Sequence, residues 1–423
     1  MKVSALKTDK RVERANWRAY HIQAYGRNND YPQRLREIVG ASVTGASCVE
    51  QYRKFIIGRG FAQKDFYSAE LNRFSQTADD LLQRVAEDYA MHAGFAFLLN
   101  WNANFKIVEI QHVPFEMVRL GELGENGHFE KYAVHPDWGK RLIALRPFRT
   151  KDIVYYDRFD PRPEIIREQV EDAGGWDKWN GQLLYHSRDG RDCYPVPTYD
   201  AAVTDMSTEE GLANVALRNV RNNFLPAGML IDRNNTANTS NAEEDTKREL
   251  REFQGDTNAG KLFYVNLQGG DVEPEFKPFR SNNTDKDFVV TGEKAPDNIG
   301  RVFNQPPILR AQDVGANFGA DLMRNAYDYY NSITETERED ISRVFGMVMA
   351  YYFININPEG DYTILPKKYR VNTSLAERLG DGTDKVLELL YDEDKSEQSK
   401  YVVLARVYGL DEDDIDELLK SVK

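Results

Sequence analysis

Gly255 to Lys261 reads GDTNAGK and fits GxxxxGK, most of a phosphate-binding loop. In such a loop the lysine reaches the phosphates and a following Ser or Thr hydroxyl holds magnesium. Here the next residue is Leu262. The pattern also predicts a helix leading into a strand, whereas a phosphate needs a strand leading into a helix N-terminus. A plain helix-to-strand turn is therefore the stronger reading. The six histidines, His21, His92, His112, His128, His135 and His186, form neither HExxH nor a CxxC-linked pattern, so surface histidine is expected. His135 stands near Asp137, a spacing that carries little by itself. Gly40 to Gly45 has one residue too many for a GxSxG nucleophile elbow and lies inside a helical pattern. Adjacent carboxylates such as Asp79 and Asp80, or Asp413 and Asp414, point apart on a helix or a strand. Tyr327, Tyr329 and Tyr330 could stack on nucleotide bases, but on a long helix they read first as packing residues. No catalytic residue, metal site or cofactor is predicted.

The elements around these residues predict an α+β chain. Leu35, Ile38, Val39 and Val43 recur at helical spacing after Tyr31 and Pro32, and the run continues through Tyr52, Phe55 and Ile56 to Gly58 and Gly60. A second helix is expected over Thr77 to Met91. Strands are expected at 95–100, 107–112, 115–120, 131–135, 142–145, 153–156 and 182–185, where β-branched and aromatic residues concentrate. Pro161 to Trp179 reads as a charged surface excursion. Ser207 and Glu210 have the spacing of a capping box and predict a helix start. Leu212, Val215, Ala216, Val220 and Phe224 form its apolar stripe, with Arg218 and Arg221 on the other side. After Pro226 come strands at 229–231, 261–267 and 272–279 and a short helix at 242–253. Phe288, Gly292, Ala295, Ile299 and Val302 predict a further helix, kinked or divided by Pro296. Gln305, Pro306 and Pro307 end it, and a loop carrying Gly315 follows. A long helix is expected from Ala320 to about Tyr352, broken near Thr334, where Thr334 and Glu337 suggest another capping box. A strand follows at 361–365.

The chain has 423 residues, 41% hydrophobic, and a formal net charge of −13. That is enough apolar material for a core, and no global basic balance for gripping nucleic acid phosphate. Residues 371–423 carry fourteen Asp or Glu against seven Lys or Arg and read as short acidic helices. Two cysteines, Cys48 and Cys193, make no disulfide framework and fit a reducing compartment. The first residues are polar and carry both charge signs, unlike a signal peptide. The longest apolar run, Val344 to Ile356, is shorter than the ~20 residues a membrane span needs and reads as a buried helix running into a strand.

Four segments, in order, resemble the portal proteins of tailed bacteriophages. Asn29, Asp30, Tyr31 and Pro32 open a helix that closes with Phe55, Ile56, Ile57, Gly58, Arg59, Gly60 and Phe61. The Ser207 helix runs into Asn222, Pro226 and Gly228. A short helix ending at Phe253 and Gly255 is followed by Asn258 to Lys261. Ile299, Phe303, Pro306 and Pro307 complete the series. The match spans about Asn29 to Tyr352; the acidic C-terminal stretch is covered by position alone.

The resemblance implies a portal fold with an α/β wing (1–205), a first stem helix (206–225), a strand-containing clip (226–284), a second stem helix (285–303), a tunnel loop (304–318), a long helix returning to the wing (319–370) and a helical crown (371–423). It implies a homo-oligomeric ring, usually dodecameric, at one capsid vertex of the virion, assembled in the bacterial cytoplasm. Its partners would be terminase large subunit, a head-tail adaptor, the major capsid protein and double-stranded DNA passing through the channel, with no membrane. Asn304, Gln305, Arg310, Gln312 and Asn317 on the tunnel loop, and Arg218 and Arg221 on the stem, become candidate channel residues. The ring would be a passive conduit, without enzyme activity of its own. The alternatives are a nucleotide-dependent DNA-processing enzyme using Lys261, another phage structural ring protein, or a soluble host scaffold protein.

Overall fold

The computed structural model describes residues 16–17, 20–124, 128–138, 150–188, 194–221, 228–232, 263–266, 275–278, 284–310, 320–369, 383–392, 396–407, 415 and 418–419. They divide into two compact units, Met1–Lys368 and Tyr369–Lys423. Both helix and sheet are present in the first unit, which is α+β as expected.

A short ribbon opens the first unit, β1 (Asn16–Trp17) against β2 (Ile22–Gln23). α1 (Tyr31–Ala41) has Pro32 in its first turn, where a missing N–H costs nothing, and buries Tyr31, Leu35 and Val39. The single helical run expected to Ile56 is in fact two helices. Ser42 is extended (φ −99, ψ 120), and its Oγ accepts from Gly45 N at 2.9 Å to cap α2 (Val43–Ile57). A serine that can bond the backbone two or three residues on favours a cap over a helix interior. α2 ends at Gly58 (φ 59), where a Cβ would lie 1.9 Å from Leu365 O. The short α3 (Lys64–Tyr67) and then α4 (Ala78–His92) follow, α4 with the Thr77–Asp80 capping box closed in both directions.

Six strands build the main sheet: β3 (Gly94–Trp101), β4 (Ile107–Val113), β5 (Val118–Leu120), β6 (Lys131–Val134), β7 (Val154–Arg158) and β8 (Gln182–Ser187), in the order β4-β3-β8-β7-β6-β5. All pairs are antiparallel except β7 with β8. A parallel pair needs a crossover, and α5 (Pro163–Ala173) supplies it. The surface excursion expected at 161–179 is thus corrected: Ile166 and Val170, four residues apart, are buried, so a helix lies where charge alone suggested a loop. The strand expected at 142–145 and the helix at 242–253 fall outside the described residues.

The chain continues with α6 (Val203–Arg221), the strands β9 (Gly228–Asp232), β10 (Phe263–Asn266) and β11 (Glu275–Pro278), and α7 (Thr284–Val302). The three strands form a sheet of their own, ordered β10-β9-β11, parallel between β10 and β9 and antiparallel between β11 and β9. α8 (Ala320–Ile333) and α9 (Glu335–Met349) divide at Thr334 as expected. The capping box expected there is absent: Thr334 Oγ1 bonds back to Tyr330 O at 3.0 Å, and Glu337 accepts from Tyr52 OH at 2.7 Å. After α9 the expected strand reduces to a bridge between Tyr352 and Ile107, and the strand at 361–365 to a bridge between Phe61 and Ile364. Phe345 of α9 meets Phe97 of the sheet at 5.4 Å and Phe61 at 5.0 Å, the aromatic centre of the core.

The second unit contains α10 (Thr383–Tyr391) and α11 (Glu397–Arg406), the latter capped by Ser396. Val386, Leu389, Leu390, Leu404 and Ile415 make its own small core. Among the described residues no helix is long and apolar enough to cross a membrane.

Candidate functional site

α6 and α7 pack side by side and flank the three-stranded insert. The Ser207 capping box does not start α6. The helix begins one turn earlier at Val203, after a 3-10 turn over Thr198–Ala202, and Ser207 Oγ bonds inward to Val203 O at 3.0 Å. Glu209, beside the expected box, goes elsewhere. It accepts from Thr44 N at 3.1 Å, from Thr44 Oγ1 at 2.7 Å and from Ser42 Oγ, so its carboxylate sits on the N-terminus of α2. Anions are favoured there by the free N–H groups and the helix dipole. This contact ties α6 to the body, and nothing in local spacing announced it.

The pair is rooted at one end. Met206, Ala295, Ile299 and Phe303 are buried, and Phe303 stacks on Tyr199 at 5.4 Å. Asn298 Nδ2 reaches Asp205 Oδ1 at 3.3 Å across the pair. Leu212 faces Gly292, where a Cβ would stand 4.0 Å from Leu212 Cδ1. Farther along α6, Ala213, Asn214, Ala216 and Leu217 are exposed, Leu217 by 47%. Arg218 and Arg221 lie on the last turns of α6.

α7 stays helical on both sides of Pro296, one element where a division was considered. It closes in a Schellman motif: Gln305 N bonds Gly300 O at 3.1 Å and Asn304 N bonds Arg301 O at 3.0 Å, with Asn304 left-handed at φ 52. Asparagine is one of the few residues besides glycine that tolerates that position. Asn304 is exposed. The two neighbours assigned to a DNA-facing loop are corrected to inward positions. Gln305 is buried, its Nε2 donating to Cys48 O at 2.7 Å and Tyr330 OH at 2.9 Å. Arg310 ends a 3-10 turn (Pro307–Arg310), and its side chain is only 8% exposed. Its Nη1 donates to Pro296 O at 3.1 Å. Both residues are polar and flank a proline pair, which made them look like loop residues; the Schellman turn instead reverses the chain onto the core. Gln312 and Asn317 fall outside the described residues.

The phosphate-loop pattern also falls outside them, but the strand β10 begins two residues after Lys261, so no helix N-terminus follows the lysine. His21 and His128 are exposed as expected; the other four histidines are not. His92 and His135 are buried. His112 Nε2 lies 2.7 Å from Asp88 Oδ2, and His186 Nε2 lies 2.6 Å from Asp340 Oδ2. Each carboxylate has a further internal donor: Phe115 N for Asp88, Tyr89 OH and Arg343 for Asp340. Burial raises the Asp88 carboxyl above the usual range despite His112. Burial also pushes Asp340 up, but His186 and Arg343 together outweigh it and hold the group at about 2. These pairs fasten α4 and α9 to the sheet. The His135 contact near Asp137 is a backbone one, Asp137 N to His135 Nδ1 at 2.9 Å. Among the described residues no group of three or more His, Cys, Asp or Glu side chains could hold a metal.

No protein-family model and no curated protein matches the chain. Solved structures do resemble it. A chain from the virion of a native gene transfer agent particle is 15% identical, covering 90% of this chain and 93% of that one, at a TM-score of 0.45. A chain from the neck of the native particle, computed with C12 symmetry, is 15% identical over 87% and 90%, at 0.42. An HK97-family phage portal protein from Corynebacterium diphtheriae is 13% identical over 74% and 90%, at 0.40. With TM-scores under 0.5 these stand as likenesses only.

Proposed function

We propose that this chain is a portal subunit: copies of it close into a ring whose wall is the α6–α7 pair, forming the channel through which double-stranded DNA enters and leaves a tailed-phage-type capsid. The observation that carries the reading is a helix pair rooted in the body at one end, with Ala213, Ala216 and Leu217 exposed beyond the root. Small and apolar side chains left in water on a helix otherwise packed on one side only are the material of a helix–helix interface with a neighbour. A ring made this way uses two different faces of each subunit and closes by rotation. The four portal-like segments in order support the same reading. The number of copies is proposed as twelve. The insert between α6 and α7 would be the clip, docking the terminase motor during packaging and a head-tail adaptor afterwards, and residues 371–423 the crown. The net charge of −13 fits a wall past which DNA slides without being held by counterion release.

Single-particle imaging of the purified full chain tests this directly. Rings with a central hole wide enough for duplex are expected, and Leu217→Glu would shift the population toward monomer while leaving the far-UV circular dichroism unchanged. ATP hydrolysis by the chain alone would overturn the passive part of the reading and favour an enzyme using Lys261.

A further inference from the structure

We propose that a groove between α5 and the end of α9 docks an extended segment of a partner polypeptide, one that carries Lys or Arg at alternate positions with apolar side chains between them. The groove holds about 960 Å³. Ile165, Glu168, Gln169 and Asp172 line it from α5. They recur at i, i+3, i+4 and i+7, which is one face of a helix. The core takes a different face of α5, the one with Ile166 and Val170. Met347 of α9 and Tyr351 just beyond it line the groove from the other helix, and Phe129, Arg158 and Phe159 from beside β6 and β7.

The charge of the lining points to a cationic occupant. Five carboxylates face the groove against three Lys or Arg. Lys131 Nζ lies 3.6 Å from Asp157 Oδ1, and Arg162 Nε bonds Asp160 Oδ1 at 2.9 Å. Glu130, Glu168 and Asp172 are exposed and make no ion pair among the described residues. A charged helix face is ordinarily turned to bulk water. This one shares a concave surface with apolar groups. Met347 is 44% exposed, and Phe159 and Tyr351 are half-buried. Methionine is a flexible, polarisable side chain common on binding surfaces. The spacing selects an extended chain. Glu168 and Asp172 stand one turn apart, about 6 Å along α5. Side chains on one side of an extended chain repeat about every 7 Å, and the alternate ones point the opposite way. A segment lying between α5 and α9 can thus present cations to both carboxylates and apolar groups to Met347 and Tyr351. No residue of α6 or α7 lines the groove, so its test is separable from that of the portal reading.

Fluorescence anisotropy on the full chain tests the proposal. The probe is the labelled peptide Lys-Leu-Lys-Leu-Lys, and its isomer Leu-Leu-Lys-Lys-Lys has the same charge without the alternation. The alternating peptide is expected to bind at least about fivefold more tightly than the isomer, the effect of seating its apolar groups. Glu168→Lys with Asp172→Lys is expected to weaken it about tenfold, as two attractions become repulsions. Met347→Ser is expected to weaken it about fivefold. Glu164→Lys with Glu171→Lys makes the same charge change on exposed positions of α5 outside the groove, and is expected to leave the difference between the two peptides intact. All these side chains are exposed, so the variants are expected to keep the wild-type far-UV circular dichroism. No binding, equal binding of the two peptides, or equal weakening by the two charge reversals would sink the idea, the last two leaving only general attraction to an acidic chain. Self-association of the chain that Glu168→Lys with Asp172→Lys abolishes would overturn it in favour of a second copy as the occupant.

Discussion

His92 ends α4 with both ring nitrogens buried and unpartnered, its ring 5.9 Å from Phe115. Burial first, then the charges of Arg36 and Arg119, push its pKa from 6.5 down to about 3. The folded chain therefore holds the ring neutral where the unfolded chain protonates it. Stability from this group is complete above pH 6.5 and is lost as pH falls toward 3, by up to about 1.4 kcal/mol per pH unit. His92→Phe is expected to flatten that slope. In urea unfolding at pH 8 and pH 5, the wild type would lose on the order of 2 kcal/mol more than the variant. The burial of His92 was in fact readable, because Val85, Tyr89 and His92 share one helical face. Arg119 was not. It is fully buried between Tyr25 and Trp138 and bonds Asn29, Gln33 and the carbonyls of Glu116 and Val118. All that the sequence showed of this arrangement was the Asn29-to-Pro32 turn, whose Asn29 (φ 60) receives the guanidinium.

Helices and strands with a clear apolar period were legible, and those whose ends depend on distant partners were not. α4 and the strands β3, β4, β6, β7 and β8 lie within a few residues of their expected positions. α5 was missed because Ile166 and Val170 are diluted by charged neighbours. The α1–α2 break was missed because Ser42 sits inside a continuous apolar period, and its cap on Gly45 N is joined by a donor bond to Glu209, 167 residues away. That capping contact is open to measurement. Glu209→Ala removes three hydrogen bonds from the α2 N-terminus and is expected to lower unfolding free energy by about 2 kcal/mol. Thermal melts at neutral pH would show the loss, and Glu209→Gln would recover part of it. Ile166→Ala removes a fully buried side chain from the crossover helix, with an expected cost of about 2–4 kcal/mol read by urea denaturation.

At the scale of the molecule, the division at Lys368 has a physical basis in two separate cores. A chain ending at Lys368 is expected to keep the unfolding midpoint of the larger unit within about 2 °C, a shift that corresponds to well under 1 kcal/mol. A drop of ten degrees in a calorimetric scan would show instead that the acidic unit supports the larger one. The layout of helix, strand insert, helix was legible because Pro226 and the paired prolines punctuate it. The inward turn of Gln305 and Arg310 was hidden, since it depends on Cys48, Tyr330 and Gly300 meeting them in space.

Gly228 and Pro278 stand opposite each other across the β9–β11 ladder, so the chain departs for the insert and comes home through neighbouring rungs about 5 Å apart. A segment whose two ends nearly touch behaves as a cassette. It can lengthen, shorten or be exchanged for another head without prying apart the two helices beneath it. On the portal reading proposed above, the docking head could change while the channel wall stays as it is.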